Sequence, residues 1–131
     1  MANTNGTMMR VTKLVKHYGE VHAVDGISFT IPHASVFTIL GPNGAGKTTT
    51  LEILEGIRHP DSGEIEVFGV RLKRINRAVK ERMGVLLQDG NFEPYLRVKE
   101  VVTLFASFFK DPLSVDEVLN KVALEEKTTA Y

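Results

Sequence analysis

One nine-residue stretch constrains this chain more than any other: Gly41-Pro42-Asn43-Gly44-Ala45-Gly46-Lys47-Thr48-Thr49. It fits the pattern Gly-x-x-x-x-Gly-Lys-Ser/Thr, with an apolar run from Val36 to Leu40 before it and a helix-compatible run from Thr50 to Glu55 after it. A phosphate-cradling loop works only as a strand–loop–helix unit, and these flanks supply both partners. The glycines let successive N–H groups turn inward toward a phosphate chain, and the following helix adds the partial positive charge of its N-terminus. In such a loop Lys47 reaches the β- and γ-phosphates and the Thr48 hydroxyl binds Mg2+. With each fixed residue type at roughly 7 % usage, the pattern arises by accident in about 0.5 % of chains this long. A Gly-rich turn that binds nothing is therefore the poorer reading.

Composition then removes whole classes. The 131 residues make one modest domain, and 43 % apolar content is enough to bury a core. Lys plus Arg equals Asp plus Glu, 16 against 16, so no global field favours nucleic acid or an anionic membrane. There is no cysteine, which excludes disulfides and thiolate metal sites. The four histidines, His17, His22, His33 and His59, lack a convincing metal-ligand spacing. Met1 to Thr7 is polar and has no apolar signal-peptide core, and no apolar run approaches the roughly 20 residues that span a bilayer. A soluble protein in the cytoplasm, where nucleotide is available, is the expectation.

Along the chain, residues 1–8 are expected as a loose tail and Met9 to Val15 as a strand. A turn at Lys16 to Glu20 leads to a second extended stretch, Val21 to Ile31, in which Asp25-Gly26 marks a tight turn or bulge. Val36 to Leu40 reads as a buried strand feeding the loop. A helix from Lys47 to Glu55 should bury Leu51 and Leu54, with Gly56 at its left-handed C-terminal position. After the turn His59 to Gly63, Ile65 to Phe68 is a strand. The basic span Arg71 to Arg82 carries Leu72, Ile75 and Val79 at helical spacing, which predicts a surface helix rather than a nucleic-acid patch. Met83 to Leu87 reads as a buried strand ending at Gln88-Asp89-Gly90. Val98 to Phe109 is a helix crowded with Phe105, Phe108 and Phe109. Ser114 and Glu117 form a capping box that opens a last helix with Val118, Leu119 and Val122 inward.

With these elements placed, the sequence resembles the ATP-binding cassette (ABC) ATPases, and among them the nucleotide-binding subunits of drug- or polyketide-export transporters. The carriers are His17-Tyr18-Gly19, Ala23 to Phe29, Gly41 to Gly56, Pro60 to Ile65, Gly84 to Gln88, and Leu96 to Glu100. The resemblance implies an α/β fold: a P-loop NTPase core with an N-terminal antiparallel β subdomain over 9–95 and the start of a helical subdomain over 96–131. It implies ATP and Mg2+ as cofactors, held by Tyr18 and by Gly41, Pro42, Asn43, Gly44, Ala45, Gly46, Lys47, Thr48 and Thr49. Tyr18 resembles the aromatic residue that stacks on adenine. Gln88 resembles the family glutamine that contacts Mg2+ and the attacking water, so Lys47 and Gln88 are the candidate catalytic residues and Thr48 and Gln88 the candidate metal ligands. Asp89 could instead be the Mg2+-binding Asp of a different phosphate-loop class, but the strand's distance after Lys47 favours a loop residue.

The resemblance also implies partners: a separate transmembrane permease and a second nucleotide-binding domain, with the protein peripheral at the inner face of the cell membrane, without insertion and without nucleic acid. Three departures stand out. Ala34-Ser35 replaces the usual Gly-Glu, Arg97 stands where a Thr usually caps the next helix, and the Leu-Ser-Gly-Gly-Gln signature, Walker B Asp-Glu and switch His are not among these residues. The expectation is an incomplete domain, the N-terminal half of a cassette, that binds Mg-ATP but hydrolyses little on its own. A soluble, non-transport ABC ATPase, a P-loop kinase or GTPase, and a non-catalytic ATP-binding regulator remain as alternatives.

Overall fold

The computed structural model describes residues 6–86 and 95–130. They form two compact units divided between Met83 and Gly84. The first unit is built on a four-stranded antiparallel sheet in the order β2-β1-β3-β4: β1 (Thr7–Tyr18), β2 (Val21–Pro32), β3 (Ser62–Val67) and β4 (Val70–Leu72). β1 and β2 are joined by the two-residue turn Gly19-Glu20, where Gly19 takes φ 57°. The Asp25-Gly26 signal is a bulge: the register steps from Leu14↔Ile27 to Val15↔Asp25, leaving Gly26 as the extra residue at φ 71°. Apolar residues of β1 and β3 turn to one face, with the register shift between Val11 and Leu14 keeping those two on the same side. Val11, Leu14, Ile65 and Val67 form the centre of the core with Val24 of β2.

Helix α1 (Lys47–Leu54) lays Thr50, Ile53 and Leu54 into the buried part of the structure. Leu51, expected inward, is exposed, because the buried stripe is set by positions 50, 53 and 54 and Leu51 falls outside it. Gly56 follows at φ 73° as expected, and a Cβ there would lie 2.9 Å from Ile75 Cβ. The basic span is a correction. Phe68 and Gly69 make a left-handed turn at φ 54° and 78° that folds Val70–Leu72 back on β3 as a strand, leaving only a short helix α2 (Arg77–Lys80). Ile75 and Val79 still point inward, and the Asn76 side chain caps α2 by accepting from Val79 N–H at 3.1 Å.

Val36 to Leu40 is the larger correction. It forms no strand, and Val36 and Leu40 are 98 % and 86 % exposed. An extended segment becomes a strand only when its N–H and C=O groups meet a ladder partner, and no described strand pairs with residues 36–40. Phe37 is held by stacking on Phe29 of β2, centroids 5.1 Å apart. Residues 83–86 likewise run without a ladder, with Val85 and Leu86 exposed; Leu87 and the rest of that expected segment lie outside the described residues.

The second unit holds helix α3 (Val98–Ala106), helix α4 (Val115–Lys121) and a 3₁₀ turn (Glu125–Lys127). Arg97 stands at the N-cap of α3 with a side chain that cannot accept a bond, and Glu100 Oε2 accepts from Arg97 N–H at 2.7 Å. The first two helical N–H groups, Val98 and Lys99, donate to the carbonyls of Ala130 and Thr128 at 2.9 and 3.2 Å. The helix ends three residues earlier than the apolar run, and Leu104, Phe105, Phe108 and Phe109 are exposed. The Ser114–Glu117 capping box forms as expected, with Glu117 Oε2 accepting from Ser114 N at 2.9 Å and Ser114 Oγ from Glu117 N at 3.3 Å. Leu119 is buried, whereas Val122 sits at the C-cap of α4, beyond the helical stripe, and is exposed.

Candidate functional site

The loop between residue 40 and α1 gets its shape from two left-handed glycines, Gly44 at φ 84° and Gly46 at φ 79°. Gly46 is also the N-cap of α1, with no side-chain cap bond. It has no room for a side chain: a Cβ there would lie 1.9 Å from the Ala23 carbonyl oxygen of β2. The first intrahelical bond runs from Thr50 N–H to Gly46 O at 2.8 Å. The amides of Lys47, Thr48 and Thr49 therefore open toward the loop at the positive end of the helix dipole, the arrangement that takes an anion.

Lys47 lies across the same loop. Its ammonium donates to the carbonyls of Gly41 and Pro42 at 2.8 and 2.7 Å, and Ala45 N–H closes a turn on Pro42 O at 3.2 Å. An ammonium has three donors. Two of them are used on the loop's own carbonyls, which holds the positive charge against the loop. Thr48 is exposed on the helix's first turn, while Thr50 is 2 % exposed and looks into the fold. A recess of about 270 Å3 runs between this loop and β2, lined by Gly44, Ala45 and Thr50 on one side and by His22, Asp25 and Ile27 on the other.

Tyr18 ends β1, 40 % exposed, and its ring is flanked by two cations. The Arg58 guanidinium lies 5.4 Å from the ring centroid and the Lys16 ammonium 5.6 Å. Arg58 is steered by Glu52 of α1, whose Oε2 accepts from Arg58 Nε at 2.5 Å, and that hydrogen bond raises the Arg58 pKa above its usual value, with Tyr18 adding to it. Lys16 donates to Asp61 at 2.7 Å, and Asp61 also accepts from His17 N–H at 2.7 Å. The Lys16 bond first, then the His17 bond, hold the Asp61 carboxyl below its ordinary pKa. Arg58 was missed in the sequence, because nothing in the run Ile57-Arg58-His59 marks a cation that folds back onto a ring in another strand.

Gly41 to Thr49 thus form one loop and helix start, and Tyr18 sits on the hairpin whose second strand carries the Ala23 carbonyl against Gly46. Gln88 and Asp89 lie outside the described residues. The shape fits a phosphate chain: at Gly46 there is space for backbone alone, and the only side-chain charge on the loop itself is the Lys47 ammonium.

The ABC transporter family matches residues 24–131, and this chain belongs to that family. Over 97 residues it is 44 % identical to the Nod factor export ATP-binding protein I of Paraburkholderia xenovorans, covering 74 % of this chain and 32 % of that protein. It is 32 % identical to the bacitracin transport ATP-binding protein BcrA of Bacillus licheniformis, over 93 % of this chain and 40 % of that protein. Among solved structures, a dimeric ATP-binding cassette in a post-hydrolysis state with ADP and Pi superposes with a TM-score of 0.76 at 23 % identity, covering 95 % of this chain and 61 % of that one. The fold is that of the P-loop ABC cassettes. The chain spans only about a third of the length of the curated relatives that head the comparison.

Proposed function

We propose that this chain is the ATP-binding part of an ABC export ATPase and that its loop holds the phosphates of Mg-ATP. One observation carries the reading: Gly46 closes on the Ala23 carbonyl with no space for a Cβ, while Lys47 is held over the loop by Gly41 O and Pro42 O. That combination leaves backbone amides and one cation as the groups a ligand meets, and both are suited to phosphate oxygens. The relatives named as export and transport ATP-binding proteins support the assignment to transport.

In this reading the N–H groups of Gly44 to Thr49 bind the β- and γ-phosphates, and Pro42 and Asn43 shape the loop with Gly41. Lys47 exchanges its carbonyl contacts for phosphate oxygens and offsets the charge that develops on the transferring group. Tyr18, oriented by Arg58, stacks on the purine face. Thr48 and Gln88 are the ligands for Mg2+, which supplies neutralising positive charge on the phosphates when bound. Gln88 also orients water, making Lys47 and Gln88 the catalytic pair contributed by these residues. The partners are a transmembrane permease and a second nucleotide-binding domain, at the inner face of the membrane; no described helix is long and apolar enough to cross one.

Binding should outrun turnover in these 131 residues, because the Walker B Asp-Glu, the signature and the switch His of the family are not among them. Titration with Mg-ATP and Mg-GTP tests the reading. The expectation is saturable ATP binding that Lys47→Ala weakens by about 100-fold or more, on the scale of a lost set of charge-assisted hydrogen bonds. Equal affinity of Lys47→Ala and the parent would end the phosphate-loop assignment, and a preference for GTP would end the assignment to ATP.

A further inference from the structure

Three of the chain's ligating side chains meet on the β1–β2 hairpin, outside the residues assigned to nucleotide. His17 and His22 are paired across the hairpin, one register step beyond the Tyr18↔Val21 pair that closes the turn. Their rings stack with centroids 3.9 Å apart and planes 13° from parallel. Asp25 joins them, so that one ligand atom from each of the three residues lies within 4.8 Å of the others.

The pleat explains how residues with no ordinary metal spacing come together. In a regular strand His22 and Asp25, three positions apart, would face opposite sides. Between Lys16↔Val24 and His17↔His22 the register slips, leaving Ala23 as an extra residue on β2. That slip restores the parity, so His22 and Asp25 share the face that His17 occupies. The linear spacing His17-x-x-x-x-His22 hid this, because the hairpin register, not the sequence interval, sets the distance.

The second observation is an orphaned imidazole nitrogen. Nε2 of His17 is out of solvent and has no hydrogen-bond partner among the described residues. A buried imidazole nitrogen without a partner is an uncompensated polar group, and a cation or an ordered water are the usual remedies. The His17 backbone is meanwhile fixed by the 2.7 Å bond from its N–H to Asp61, which orients the residue from behind.

We propose that His17, His22 and Asp25 form a site for a borderline divalent cation of the zinc type. Two imidazole nitrogens and one carboxylate are the ligand set for such an ion, with water completing a four-coordinate shell. Mg2+ and Ca2+ prefer all-oxygen shells and are disfavoured here. Ligand atoms bound at about 2.0–2.1 Å in a tetrahedron lie about 3.3 Å apart. The present 4.8 Å spread therefore closes by side-chain rotation of the exposed His22 and Asp25, with the His22 ring leaving its stack on His17 so that both imidazoles aim a nitrogen at the ion. Occupancy would clamp the hairpin directly next to Tyr18.

The test uses the untagged 131-residue protein and zinc alone, without nucleotide, so its result is separate from the nucleotide reading. Competition against a chromophoric chelator should show one saturable Zn2+ equivalent that excess Mg2+ does not displace. Co2+ should give the intense visible bands of a four-coordinate site. His17→Ala and His22→Ala should each weaken Zn2+ by about 100-fold, at or above the loss seen for an outer-shell partner. Asp25→Asn, a near-isosteric change that keeps the hairpin's shape, should weaken it by at least about 10-fold, and His33→Ala and His59→Ala should leave it unchanged. If Zn2+ binds Asp25→Asn and His17→Ala as it binds the parent, or if the parent shows no site tighter than about 1 mM (a binding energy near 4 kcal/mol), the proposal falls.

Discussion

Replacing Gly46 by alanine puts a methyl group where the fold has a carbonyl. The added Cβ would stand 1.9 Å from Ala23 O and 3.1 Å from Ala23 C, and real Cβ contacts essentially never fall below 3.0 Å. Either the loop or β2 must then retreat by about 1 Å. The residue is also left-handed at φ 79°, which costs an L-amino acid about 1–2 kcal/mol. Gly69 separates the two effects, since it has nearly the same φ, 78°, with nothing within 4 Å of its Cβ position. Gly69→Ala should therefore show strain alone, lowering Tm by roughly 4–10 °C with ATP affinity intact. Gly46→Ala should add the displacement. A misplacement of about 1 Å in a binding loop costs about 100-fold, near 2.8 kcal/mol. Thermal melts and nucleotide titration of the two variants side by side read both quantities. Parental ATP affinity in Gly46→Ala, with a Tm loss no larger than in Gly69→Ala, would refute the claim that the loop is seated on the Ala23 carbonyl.

Tyr18→Ala should weaken ATP by about 5- to 100-fold, the range of one lost base–aromatic stack, while Tyr18→Phe stays within about twofold; fluorescence titration distinguishes them. Asp61 carries a lowered pKa in the fold, so its contribution to stability is complete above its unfolded value of 3.8 and is lost as pH falls through the lower folded value. Tm measured from pH 5 down to pH 2 should consequently fall less steeply in Asp61→Asn than in the parent. The exposed Phe105 and Phe108, edge to face at 5.8 Å, should drive concentration-dependent self-association. Light scattering should show that association in the parent and its loss in Phe105→Ser/Phe108→Ser, and a parent that stays monomeric at high concentration would remove the patch as its cause.

Local chemistry proved the readable part of this chain. Gly56 after α1, the Gly26 bulge and the Ser114–Glu117 box depend on backbone conformation and on residues three or four positions away, and they stand where the residue types placed them. Errors arose wherever a distant partner decides. Val36 to Leu40 has strand composition but no described neighbour to pair with. Leu72, Ile75 and Val79 fit a helical period, yet the Phe68-Gly69 turn gave Leu72 to a strand and left the other two to the core. In the candidate site the loop was legible because its motif is contiguous. Arg58 on the Tyr18 ring and Ala23 under Gly46 were not, because each contact joins segments more than 20 residues apart.

The first turn of α3 draws its hydrogen-bond partners from far along the chain. Val98 and Lys99 donate to carbonyls at 130 and 128, about 30 residues further along the chain. The Arg97 side chain offers no acceptor. Helices ordinarily complete themselves from local contacts and so form early, whereas pairings across long loops wait on chain closure. At its N-terminal end α3 behaves in this respect like a strand. Its first two amides depend on Thr128 and Ala130 for their protein acceptors, so changes at that distant segment reach the start of α3.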